Sequence, residues 1–66
     1  MTSTWWFEIT SGDYEGEEFF VEIEGVLGHT ERDAVDRAQQ IFPTETLRCL
    51  GRVSQTEAEM MGLDTY

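Results

Sequence analysis

The chain contains no lysine, and its four arginines stand against fourteen acids, a formal charge of −10 at neutral pH. A body this negative is repelled by phosphate backbones, so direct nucleic-acid binding is not expected. An anionic membrane surface is disfavoured for the same reason. Cys49 is the one cysteine, so no disulfide can form within the monomer, and a reducing, cytoplasmic setting is expected. No stretch approaches the ~20 apolar residues of a membrane span. The opening MTSTWWFEIT has neither the basic region nor the apolar run of a signal peptide. His29 has no second histidine or cysteine near it in sequence, so a zinc ligand set is missing and no metal is expected. No phosphate-binding loop, dinucleotide fingerprint, nucleophile elbow or H-E-x-x-H pattern occurs, so no cofactor and no catalytic residue is assigned.

What remains is one small soluble domain. Sixty-six residues bury only about 60% of the surface exposed on unfolding, so the core is marginal and a partner or second copy would help it. The charge is unevenly spread. Residues 1–24 hold seven acids and no base, and the other seven acids share residues 25–66 with all four arginines.

Thr4 to Thr10, TWWFEIT, is rich in strand formers, with Trp5, Phe7 and Ile9 on one face and Trp6 and Glu8 on the other. SGDYEGE then has turn chemistry around Gly12 and Gly16. Glu18 to Glu24, EFFVEIE, sets Phe19, Val21 and Ile23 against Phe20, Glu22 and Glu24. An antiparallel hairpin with Ile9 opposite Phe19 would align the two apolar rows. Gly25 and Gly28 end the second strand, and Thr30 with Asp33 forms a T-x-x-D capping box. Ala34, Val35, Ala38, Ile41 and Phe42 recur at helical spacing, and Pro43 stops that helix.

Thr46 to Val53, TLRCLGRV, reads as a third strand with Leu47, Cys49 and Val53 inward and Arg48, Leu50 and Arg52 outward. Cys49 is thereby a small core residue rather than a nucleophile. Gly51 marks a bulge or a close backbone approach. Ser54 and Glu57 begin a second, short helix ending at Gly62 in the αL conformation, with Leu63 folding back and LDTY mobile beyond. The order β-β-α-β-α and a right-handed crossover predict an α+β fold: a three-stranded antiparallel sheet of order 2-1-3, the main helix on one face and the short helix at the end. The expected core is Trp5, Phe7, Ile9, Phe19, Val21, Ile23, Val35, Ala38, Ile41, Phe42, Leu47 and Val53.

The open sheet face carries the candidate sites. Trp6, Phe20 and Leu50 fall there, a patch suited to a partner or to a cover made by Met60, Met61 and Leu63. Stacking on bases would need a basic surround that is absent. Glu8, Glu22 and Glu24 share that face with Arg48 and Arg52, either as ion pairs across strands or as carboxylates for acid–base chemistry. Asp13, Glu15, Glu17 and Glu18 crowd the hairpin loop beside Tyr14. Their spacing fails as a calcium loop, because Glu18 stands where glycine is needed. They read as solvated charge or as a negative knob for a basic surface.

The T-x-x-D-A-V helix start, the Phe42-Pro43 stop and the S-x-x-E-A-E-M-M-G-L ending, at this length and acidity, resemble small acidic proteins encoded by bacteriophages. That resemblance implies an inhibitor of host defence or DNA-processing enzymes, in some cases a DNA mimic, and it carries over no functional residue. The leading expectation is a non-enzymatic module that binds a basic protein surface through Trp6, Phe20, Leu50, Asp13, Tyr14, Glu15, Glu17, Glu18, Glu22 and Glu24. The alternatives are a homodimeric structural protein whose acidity serves solubility, and a small enzyme using the sheet-face carboxylates.

Overall fold

Residues 2–24 and 30–66 are described by the computed structural model. The expectations for Gly25, Gly28 and His29 lie outside the described residues. The elements are β1 (Thr2–Ser11), β2 (Glu18–Glu24), α1 (Glu31–Ile41), β3 (Thr46–Val53) and α2 (Gln55–Met61). They form an α+β fold whose sheet has the order β2-β1-β3, with both outer strands antiparallel to β1. The tryptophan-bearing strand is therefore central, as the right-handed crossover predicts.

The core lies between the sheet and α1. Trp5, Phe7, Ile9, Phe19, Val21, Ala34 and Ala38 are buried in one cluster, and Ile23, Ile41, Phe42, Leu47 and Cys49 pack against it. Full burial of an aromatic or branched side chain contributes roughly 1.5–3 kcal/mol, and Phe7 and Val21 have no exposed surface. Val35 is not part of this core; it is 37% exposed. The inward stripe of α1 runs through Ala34, Ala38 and Ile41, and Val35 is one position, about 100°, around from Ala34. Trp5 carries a buried indole N–H that meets no acceptor among the described residues, and the Arg52 guanidinium lies 5.8 Å from its ring centroid.

Two register features depart from the sequence reading. Phe7, not Ile9, lies opposite Phe19; Ile9 instead exchanges hydrogen bonds with the Gly16–Glu17 backbone. The slip is two residues, so both apolar rows still face α1. On the other side of β1, Phe7 pairs with Cys49 while Trp6 pairs with Gly51, leaving Leu50 as an extra residue in β3. Gly51 has φ +116°, a conformation glycine adopts at little cost. This bulge inverts the alternation beyond it. Arg52 pairs with Trp5 on the helix side, and Val53 pairs with Thr4 on the opposite side, the reverse of the expected placement.

The helix ends follow their caps. Thr30 accepts from the Asp33 amide, and the Asp33 carboxylate accepts from the Thr30 amide, a complete capping box. Ser54 accepts from the Glu57 amide at 3.1 Å, and Gly62 ends α2 with φ +67°. The segment after α2 is not free, as the mobile LDTY tail would be. Asp64–Tyr66 hydrogen-bonds along the outer edge of β2, where no other strand among the described residues pairs with it.

Candidate acidic hairpin surface

The loop between β1 and β2 is held from below by a residue that periodicity does not single out. Glu45, between α1 and β3, is buried. Its carboxylate accepts from the Asp13 and Tyr14 amides, each at 3.3 Å, and from the Thr44 hydroxyl. The approach is so close that a Cβ at Gly12 would collide with that carboxylate. Gly12 also has φ +127°, so both space and conformation call for glycine there. Gln39 fixes the other side of the turn by donating to the Phe42 carbonyl at 2.9 Å and the Glu45 carbonyl at 3.1 Å. The Tyr14 ring meets Phe42 edge-on at 6.2 Å.

The outcome is an anchored loop whose side chains point into water. Asp13, Glu15 and Glu17 are exposed, and Tyr14 is 53% exposed. Glu18 behaves differently: it is half-buried, and its carboxylate accepts from the Trp6 indole N–H at 2.8 Å. The only hint of Glu45 in the sequence is a lone acid between Pro43 and β3, facing a hairpin that has glycine at position 12.

Of the two alternatives the sequence offers for the open sheet face, the structure follows the cover in part: Leu63 is half-buried there, while Met60 and Met61 are exposed. Phe20 is fully buried, so it cannot touch a partner in this conformation. Thr4 and Glu22 share a cleft with Gln55, Ala58, Glu59, Gly62, Leu63 and Thr65, which places α2 and the residues after it against this face. Trp6 and Leu50 are half-buried, while Glu22 and Glu24 are exposed. Met60 points outward at 82% exposure. Glu8 faces Arg48 in register, but Arg52 has left this face through the bulge. Glu22 and Glu24 line clefts that open to solvent.

Cys49 sits against the core as a free thiol. Burial pushes its pKa up, a hydrogen bond from the Gly51 backbone lowers it, and the adjacent Glu31 carboxylate raises it again. The net direction is upward, which disfavours the nucleophilic thiolate. Among the described residues no group of three or more His, Cys, Asp or Glu is arranged to hold a metal ion. Among the same residues, no helix is long and apolar enough to cross a membrane. No family model, no curated protein and no solved structure matches this chain.

Proposed function

We propose that this chain is a non-enzymatic protein-binding module that presents its hairpin loop as a negative knob to a basic partner surface in the cytoplasm. The observation that carries this reading is the anchoring of the loop by Glu45. A loop fixed from below loses less conformational freedom on binding, which favours affinity. Its exposed Asp13, Glu15 and Glu17 supply a concentrated field that speeds encounter with a basic surface. Tyr14 adds the half-exposed aromatic contact that interfaces favour. A surface built to hold phosphates is one such partner, which is where an inhibitor or DNA mimic would act. The homodimer reading has less support, because Phe20 is fully buried and Trp6 and Leu50 are half-buried, which leaves little apolar surface on the sheet face for a seam.

The test compares two triple variants of equal charge. One is Asp13→Asn, Glu15→Gln and Glu17→Gln; the other is Glu31→Gln, Asp36→Asn and Glu59→Gln, all exposed positions. Immobilised protein is exposed to lysate at low and high salt. The wild type and the second variant should retain the same salt-sensitive partner, and the loop variant should lose it. Equal retention by both variants would refute a loop-specific site and leave only general acidity.

A further inference from the structure

Along the outer edge of β2 the protein binds a piece of itself. The Phe20 amide donates to the Asp64 carbonyl at 2.8 Å, the Tyr66 amide to the Phe20 carbonyl at 2.9 Å, and the Glu22 amide to the Tyr66 carbonyl at 2.9 Å. This is the bonding of a short parallel strand, with Thr65 beside Phe20. The Tyr66 ring stands edge-on to Phe19 at 5.8 Å and to Phe42 at 5.5 Å. An aromatic notch and a row of backbone groups thus recognise three residues of extended chain.

The groove does not stop at Tyr66. A cleft of about 490 Å³ follows it, lined by Glu22, Ile23, Glu24, Asp33, Arg37 and Tyr66. Asp33 is engaged in the helix cap, so among the described residues Glu22 and Glu24 outnumber Arg37 as the groups open to a newcomer. An extended strand that paired as Asp64–Tyr66 does, and ran further in the same direction, would carry its next side chains toward these carboxylates.

The segment that fills the groove is lightly held. No residue of α2 is buried, and Tyr66 keeps 46% of its surface exposed. Segments with little buried surface open locally at low free-energy cost.

We propose that the outer edge of β2 is a binding groove for an extended peptide carrying an aromatic residue followed by cationic ones, and that Asp64–Tyr66 occupies it as an internal competitor. Recognition is strand addition: the backbone ladder gives affinity, and the aromatic notch with the acidic cleft gives specificity. The groove uses Glu22 and Glu24 rather than the hairpin acids, so it stands independently of the hairpin reading.

The probe is a blocked synthetic peptide, Asp-Thr-Tyr-Arg-Arg, titrated into the isotope-labelled full chain while the Phe20 and Glu22 amide resonances are followed. Tyr66→Ala weakens the internal competitor, so the peptide should bind it about tenfold tighter than the wild type if the free groove is populated about one part in ten. Thr65→Gly loosens the same segment without touching the ring, and should give a smaller gain in the same direction. Replacing the peptide's tyrosine by alanine, or its arginines by glutamates, should weaken binding several-fold. Neutralising Asp13, Glu15 and Glu17 should leave the affinity unchanged. Should Tyr66→Ala fail to fold, Thr65→Gly decides. Equal affinity for wild type and tail variants, indifference to the peptide's tyrosine, or resonance changes confined to the hairpin would overturn the proposal. Concentration-dependent self-association through exchanged tails, with no peptide effect, would overturn it equally.

Discussion

At Gly12 a backbone and a carboxylate occupy adjoining space, and a single methyl group decides whether both can stay. A Cβ there would strike Glu45, and φ +127° is strained for any L side chain. Gly12→Ala should therefore destabilise by more than about 1 kcal/mol, read as a lower denaturation midpoint. A loss no larger than that of Gly16→Ala, where added bulk meets open space, would argue against the Glu45 contact. Cys49 gives a prediction in pH. Its folded pKa is raised, chiefly by burial, so between the unfolded value of about 8.5 and the folded value the native state holds more protons than the unfolded chain. The stability linked to this thiol is complete below about pH 8.5 and is lost as pH rises through the folded pKa. Denaturant midpoints taken from about pH 7 to about pH 10 should fall less steeply for Cys49→Ala than for the wild type. Parallel slopes would show that the thiol is solvated like an unfolded one.

The two helices differ in what their caps are attached to. α1 buries Ala34 and Ala38 against the sheet, whereas α2 has no fully buried residue and only Ala58 half-buried. Thr30→Ala should cost about 0.5–2 kcal/mol, and Ser54→Ala should cost less, because fraying of α2 releases little core. Thermal melts settle the order; an equal or larger loss for Ser54→Ala would mean that α2 carries more of the fold than its exposure implies. The caps and helix starts were legible because they rest on local chemistry and a simple period, and the strand order because the crossover is right-handed. The hairpin register was not. A slip of two residues preserves every face, and what places Phe7 opposite Phe19 includes a loop geometry tied to Glu45, thirty-odd positions away. Arg52 and Val53 lie on the reverse of their expected faces for a related reason. Gly51 announces a bulge, but alternation counted along β3 continues through it, whereas the chain inverts there. Val35 looked inward because it is apolar and close to the stripe. The pairing of Asp64–Tyr66 has no sequence signal of its own, since three residues show no period and their hydrogen bonds depend on a free strand edge.

Across the whole molecule, charge is sorted by strand. The β1–β2 hairpin contains acids alone, and β3 contains Arg48 and Arg52 with no acid. The hairpin acids were legible as a candidate surface from composition, whereas the residue that anchors them was not, because Glu45 reaches them only in the folded chain. This arrangement carries a cost that salt exposes. The molecule spans 32 × 25 × 15 Å, and screening acts over about 8 Å at physiological ionic strength. Repulsion is therefore felt mostly among near neighbours, and the loop is where exposed acids are neighbours without a base. Added sodium chloride should raise the melting temperature of the wild type. The loop variant Asp13→Asn, Glu15→Gln, Glu17→Gln should melt higher than the wild type at low salt and respond less to added salt. The equal-charge variant Glu31→Gln, Asp36→Asn, Glu59→Gln should change less, because Asp36 and Glu31 share α1 with Arg32 and Arg37. If instead the two variants shift together, the acids act through net charge alone, and solubility is a sufficient account of them. If the loop variant alone gains stability, the hairpin concentrates acids against its own folding free energy. Solubility would be served equally well by spreading them, so their concentration on one anchored loop would then point to a surface kept for an encounter.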